Sequence, residues 1–283
     1  MLFNAITWDP SLGIDLGFFE IRYYSLMYLI TFVLGWYIMK YIYKKENIKI
    51  EKLDSLFIYT VLATLIGARL GHVIFYQSEL FLEDPLSVFL PFQFVPEFQF
   101  TGFQGLASHG AALGIMVAMY IYCKKILHKP LLWILDRIVI PTAVGGMFIR
   151  IGNFMNSEIV GKPTNADYGV IFVDYPAKIG SLAEAVPRHP AQLYEAACYL
   201  IIFFVLWIIY QKTKKSKQMG YLFGMFMLLI WAVRFLIEFV KEPQVEERAT
   251  WILNTGQLLS IPFVILGLYL IFTAKNRPEP SVK

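Results

Sequence analysis

Apolar residues dominate this chain in long runs, and short charged clusters separate them into candidate spans near 20–43, 54–77, 104–123, 131–150, 190–210, 219–240 and 252–274. Each run is close to the ~20 residues that an α-helix needs to cross a ~30 Å hydrocarbon core. The pattern predicts an all-α integral membrane protein of seven transmembrane helices, a single polytopic domain over residues 1–283. The connection at 151–189 breaks the pattern. Gly, Pro and Asp punctuate it, and one short alternating run, Val170 to Val173, reads as a strand. A small external subdomain is expected there, between the fourth and fifth helices. No internal repeat is visible, and an odd number of spans does not divide into the two halves that mark many transporters.

Composition agrees with this class. Of 283 residues, 57% are hydrophobic and 16% charged, with a mean hydropathy of +0.56. Soluble domains carry about 25% charged residues, so too little polar surface is present to cover a water-exposed globule. The net charge of +4 is spread over short basic clusters, which speaks against a nucleic-acid partner. Cys123 and Cys198 are too few for a disulfide framework, and neither sits in CxxC. HExxH and Cys/His clusters are absent from the sequence, so neither a metal nor a cofactor is expected.

The distribution of charge orients the spans. One set of connections holds Lys44, Lys45, Lys49, Lys52, Lys124, Lys125, Lys129, Lys212, Lys214, Lys215, Lys217, Lys275, Arg277 and Lys283, 14 basic residues. The other set holds 5: Lys162, Lys178, Arg188, Lys241 and Arg248. Cytoplasmic loops carry the excess of Lys and Arg, so the amino terminus is expected outside and the carboxyl terminus in the cytoplasm. The first twenty residues contain Asp9, Asp15 and Glu20 without Lys or Arg, the reverse of a signal-peptide n-region. The first apolar helix is therefore expected to stay as an uncleaved anchor.

Polar residues inside spans are costly and are candidates for function. Counted at ~1.5 Å per residue from the inner Lys clusters, or from Pro130 for Arg150, Tyr24 and Arg150 lie ~30 Å from the inner surface, Arg69, Glu195 and Arg234 ~25 Å, and His109 ~22 Å. Six helices thus place polar groups in the outer third of the bilayer, although a break at Pro141, Gly145 and Gly146 is expected to blur the fourth. A single Arg near a helix end commonly snorkels; three at one depth, beside His, Glu and Tyr, suggest a site. Arg137, next to Asp136 at an inner end, fits a snorkelling or paired role. Arg69, between Gly67 and Gly71, reads either as an interhelical donor or as a site residue.

The densest constellation follows the fourth span, from Arg150 through Asn153, Asn156 and Glu158 to Gly161. An arginine there can hold a phosphate through a bidentate fork, Asn side chains can add donors, and Glu158 can orient the arginine or cap the turn. The alternative is a polar helix exit that satisfies backbone groups at the interface.

Here the sequence resembles the bacterial prolipoprotein diacylglyceryl transferases, whose signature Arg-x-Gly-Asn-Phe-x-Asn-x-Glu-x-x-Gly is matched at every fixed position by Arg150 to Gly161. The similarity runs nearly end to end, through Tyr23 to Tyr28, Gly67 to Gly71, Ser108-His109-Gly110, Pro187 to Glu195 and Arg234 to Phe239. The resemblance implies an enzyme of the bacterial cytoplasmic (inner) membrane with its site toward the outer leaflet. Such enzymes move the diacylglyceryl group of phosphatidylglycerol onto the thiol of a cysteine in a prolipoprotein signal peptide, forming a thioether and releasing glycerol 1-phosphate. The nucleophile comes from the substrate, in keeping with two cysteines here that look inert.

A thiol of pKa ~8.5 is mostly protonated at neutral pH, and a histidine of pKa ~6.5 is a suitable base. His128 lies in an inner loop, His189 at a helix entrance, and His72 where the family often has tyrosine; elimination and the family match together assign the base to His109. Arg150 and Arg234 are expected to stabilise the phosphate leaving group, with Asn153 and Tyr24 bonding the head group. Glu158 and Glu238 are expected to position the arginines, Glu238 being at i+4 from Arg234, and Arg69 and Glu195 complete the substrate-binding set. Ala111 replaces the second of two glycines that follow the histidine in the family, and Ile230 a tyrosine, with Trp231 adjacent. Competing classes fare less well. The last span has no lysine for a retinal Schiff base, and GxSxG is absent. A transporter or flippase of anionic lipid remains open on the residues alone, although alternating access places its site near the midplane.

Overall fold

The long helices form where the hydropathy placed them. The structure, a computed structural model, describes residues 6–17, 20–90, 92–100, 105–173, 186–242 and 253–279. Its helices are α1 (Tyr23–Lys45), α2 (Ile50–Tyr76), the one-turn α3 (Leu80–Glu83), α4 (Ser108–Tyr122), α5 (Leu131–Met155), α6 (Ala191–Lys212), α7 (Tyr221–Ile237) and α8 (Thr255–Thr273). Six are long and apolar enough to cross a membrane, and α7 is apolar with 17 residues, about 25 Å and at the short end of the spanning range. Burial is inverted relative to a soluble protein. Phe75, Leu113, Ile201 and Phe272 are each more than 60% exposed, while Arg69, Asp136, Asn153, Glu195 and Lys241 are buried. Only a lipid solvent favours that arrangement, and the protein is a mostly helical, multi-pass membrane protein.

Two compact units make up the chain, residues 40–134 and the remainder. In the first, α2 packs on α4 across small residues. A Cβ on Gly71 would lie 2.6 Å from the Gly110 Cα, and one on Gly114 would lie 2.6 Å from the Ala63 carbonyl, so the backbones meet as closely as small-residue seams allow. At the lysine-bearing ends of these helices Tyr122 donates to the Lys52 carbonyl at 2.8 Å, and its hydroxyl lies 2.8 Å from that of Tyr43. Between α2 and α4 a short hairpin pairs β4 (Phe92–Gln93) with β5 (Gln99–Phe100). Buried Asp84 fixes its turn by accepting the amides of Phe94 and Val95 at 2.7 and 3.3 Å.

In the other unit, Ile6–Trp8 (β1) runs parallel to Val170–Phe172 (β6), and Gly13–Asp15 (β2) pairs antiparallel with Glu20–Arg22 (β3). The strand expected at 170–173 is therefore present, with Phe154, Val160, Val170 and Phe172 packing around Trp8. The rest of the expected subdomain at 174–185 lies outside the described residues, as do Lys178, Arg248 and Lys283 of the charge count. Helix α5 differs from expectation in two ways. It runs unbroken through Pro141, as spanning helices permit, and farther along Thr31, on α1, reaches the Gly145 carbonyl at 3.4 Å. It also continues past residue 150 to Met155, so Asn153 as well as Arg150 stands on helix. At the other end of α5, Asp136 caps α7 by accepting the amides of Gly220 and Phe223 at 2.6 and 2.8 Å. Arg137 is paired, with Glu279 at 3.2 Å, as its position suggested.

Candidate active site

The last turn of α5 and the first turn of α6 bring two motif residues far apart in sequence into contact. Arg150 Nε meets the Glu195 carboxylate at 2.7 Å, with Glu195 fully buried. The same guanidinium donates from Nη1 to Asn153 Oδ1 at 3.3 Å, one helical turn on. Asn153 in turn donates to Glu158 at 3.0 Å, and Asn156 donates to the other Glu158 oxygen at 3.2 Å. Glu158 therefore orients Arg150 through Asn153 rather than by direct contact. The turn that presents it is strained. Ser157 and Ile159 have φ of 54° and 55°, a left-handed conformation that costs on the order of 1–3 kcal/mol per residue. Gln192 on α6 holds the turn by donating to the Glu158 carbonyl at 2.5 Å.

Tyr24 closes one side of this cluster. Its ring lies across Gly152, where a Cβ would come within 2.7 Å of it, and its hydroxyl interacts with Asn153. Tyr199 lies beneath, its ring centroid 6.0 Å from the Arg150 Cζ, within electrostatic reach of Glu195 and Arg234 as well. Arg234 sits 5.3 Å from the Trp231 ring, with its Nε buried and without a hydrogen-bond partner among the described residues. Trp231, beside the departure at Ile230, is itself stacked on Phe263 at 4.3 Å and supplies Arg234 with an aromatic face.

The role expected of Glu238 changes. Its carboxylate engages Lys241 at 2.9 Å and Asn254 at 3.1 Å rather than Arg234. The reason is the end of α7 at Ile237, which releases the backbone so that Lys241 folds back, while α8 begins directly opposite. Asn254 caps α8 with its side-chain oxygen in a reciprocal capping box with Gln257, which leaves its amide NH2 free to bond Glu238. Lys241 also contacts Glu195 at 3.5 Å. Lys241, Gln192, Tyr199 and Asn254 were not singled out in the sequence; Lys241 was counted as an outer-loop charge, and its i+3 spacing from Glu238 at the end of an apolar run was the available signal.

His109 and Arg69 belong to the other unit. His109 is exposed in the first turn of α4, and α4 is seated there by the Ala107 amide on the Ala68 carbonyl at 2.9 Å and by the Gly110 seam. Ala111 is helical, so its replacement of glycine costs nothing in backbone conformation. Arg69 donates to the Ser87 carbonyl at 3.0 Å, a contact that ties α2 to the following loop. His72 covers Gly105, whose lack of a side chain makes room for the ring, and lies tilted against Tyr76 with ring centroids 5.2 Å apart.

The largely buried Arg150 is thus braced by a carboxylate and an amide beside one strained polar turn, an arrangement with the donor chemistry that an anion requires. Comparison with known proteins gives the family. Residues 12–273 match the family described as prolipoprotein diacylglyceryl transferase. The chain belongs to that family. Among curated relatives, the phosphatidylglycerol–prolipoprotein diacylglyceryl transferase of Tolumonas auensis is 40% identical over 270 residues, covering 95% of this chain and 97% of the relative. Those of Bacteroides fragilis and Chloroherpeton thalassium are each 38% identical, the first covering 96% of both chains, the second 98% of this chain and 97% of its own. Membership in the family makes the protein a transferase of lipoprotein biosynthesis and removes the lipid transporter as a reading.

Proposed function

We propose that the protein transfers the diacylglyceryl group of phosphatidylglycerol to the thiol of the lipobox cysteine of prolipoproteins, at a site facing the outer leaflet of the bacterial inner membrane. The relatives' names supply the two substrates. The excess of lysines on one set of connections supports an external amino terminus and a cytoplasmic carboxyl terminus, and the 151–189 connection then forms an external subdomain.

His109 takes the thiol proton, and the thiolate sulfur attacks the glyceryl carbon that bears the phosphate. The carbon–oxygen bond breaks as the carbon–sulfur bond forms, and its electron pair leaves on the phosphate oxygen. The proton held by His109 passes to the departing glycerol 1-phosphate, which restores the base. Negative charge grows on the phosphate during this step, so donors fixed in a low-dielectric site lower the barrier most. Arg150 and Arg234 supply them, Asn153 and Tyr24 bond the head group, and Glu195 and Glu158 keep the Arg150 fork aligned. The observation that carries the reading is the Arg150 guanidinium, held on Nε by Glu195 at 2.7 Å and donating from Nη1 to Asn153 of the motif at 3.3 Å.

The test of the base is His109→Gln. With phosphatidylglycerol and a lipobox peptide, mass spectrometry should find no thioether-linked product, while native mass spectrometry still finds bound lipid. Turnover retained by a folded variant would reject His109 as the base.

A further inference from the structure

Lys241 stands in an unusual position for a lysine. It is 4% exposed, and lysines are almost never fully buried without a partner. Its ammonium lies between two buried carboxylates, Glu238 at 2.9 Å and Glu195 at 3.5 Å. Glu195 divides its oxygens, one to Lys241 and the other to Arg150. The result is an unbroken line of alternating partners: Asn254, Glu238, Lys241, Glu195, Arg150, Asn153 and Glu158. It runs from the cap of α8 to the strained turn after α5.

The backbone of Lys241 is pinned as well. It bridges Gly161 in antiparallel fashion, with the Lys162 amide on the Val240 carbonyl at 2.8 Å and the Glu242 amide on the Val160 carbonyl at 3.2 Å. Arg188 locks the neighbouring Glu242 at 2.7 Å. The lysine therefore cannot drift away from Glu195 without opening the segment that closes the motif.

We infer that Lys241 is a positioning residue for transfer: by holding one oxygen of Glu195 it fixes the other on Arg150 Nε and so aims the guanidinium at the lipid phosphate. The inference rests on the phosphate-binding reading of Arg150. Two effects follow from the geometry. Lys241 shares the negative charge of Glu195, so that Arg150 is less neutralised and keeps more attraction for phosphate. It also restricts the carboxylate to one orientation, and a misplacement of about 1 Å at such a site costs on the order of a hundredfold in rate.

The experiment measures transfer to a lipobox peptide from phosphatidylglycerol, per mole of folded enzyme, for Lys241→Met, Lys241→Arg, Arg150→Lys and the Lys241→Met/Arg150→Lys pair. Lys241→Met should lower kcat at least tenfold and Lys241→Arg should recover most of it, because charge and reach survive. In the Arg150→Lys background the further loss from Lys241→Met should fall below threefold, since a residue that acts through Arg150 has nothing left to aim. An equal loss in both backgrounds is the result of a merely structural lysine and overturns the inference. Lys241→Met/Glu238→Gln restores the charge balance; it should fold like the wild type and remain slow, and wild-type kcat in that variant would mean that Lys241 only neutralises Glu238. If Arg150→Lys alone is fully active, the phosphate reading of Arg150 has failed; if it is impaired while Lys241→Met is not, only the role of Lys241 falls.

Discussion

Arg150→Lys separates charge from geometry at the centre of the site. Arginine here contacts Glu195 through Nε at 2.7 Å and Asn153 through Nη1 at 3.3 Å, two directions fixed by one planar group. An ammonium is a single head that can keep Glu195 only by giving up the fork. A hydrogen bond to a charged group contributes about 1.5–3 kcal/mol, and ~1.4 kcal/mol is a tenfold change in rate. Loss of one bond made to the transition-state phosphate therefore predicts a fall in kcat/KM of about ten- to a hundredfold. Stability should respond differently. The pair is 15% and 0% exposed on its two sides, so Arg150→Met leaves a buried carboxylate short of its nearest cation, a loss of about 3–5 kcal/mol by the precedent of broken buried pairs. The lysine variant retains that charge. The assay is peptide lipidation followed by mass spectrometry, with thermal unfolding in detergent run in parallel. A folded Arg150→Lys protein with near-wild-type kcat/KM would refute the argument that bidentate phosphate binding is the work of this residue.

Two further substitutions test the scaffold. Asp136→Ala removes the acceptor of the Gly220 and Phe223 amides and should destabilise by about 1–3 kcal/mol, seen as a lower unfolding midpoint with kcat per folded enzyme little changed; an unchanged midpoint would show that this cap contributes nothing. Gly161→Ala places a Cβ 2.5 Å from the His189 carbonyl and 2.9 Å from that of Val240, backbone atoms that cannot rotate away, so both stability and transfer should fall. A variant equal to wild type in both would mean that the 160–162 pairing does not hold the site.

The spans were legible because hydrophobic length is a local property, read one helix at a time. The strand at Val170–Phe172 was legible for the same reason. The course of α5 was not, because whether a proline such as Pro141 breaks a helix depends on tertiary surroundings that the local pattern does not carry. Within the site, Arg150, Asn153 and Glu158 share one short motif and their mutual bonds follow from spacing. The partners of the buried carboxylates do not. Lys241 is 46 residues from Glu195, and Asn254 is 16 from Glu238. Helix periodicity reads Glu238 as a partner of Arg234, and its backbone is still helical there, with its amide on the Arg234 carbonyl at 3.0 Å; its carboxylate is drawn instead to Lys241 and Asn254, partners that spacing along one helix cannot show. Asp136 capping a helix 84 residues away is likewise a tertiary fact.

The central claim is that a substrate thiol displaces a phosphate leaving group that this site stabilises. One reaction tests it directly: purified protein, phosphatidylglycerol and a lipobox peptide, with both products quantified over time. The account predicts thioether-linked diacylglyceryl peptide and glycerol 1-phosphate in a one-to-one ratio, and neither product when the peptide cysteine is replaced by serine. Glycerol 1-phosphate released without modified peptide, or an unmodified peptide under conditions where a relative of the family is active, would contradict it.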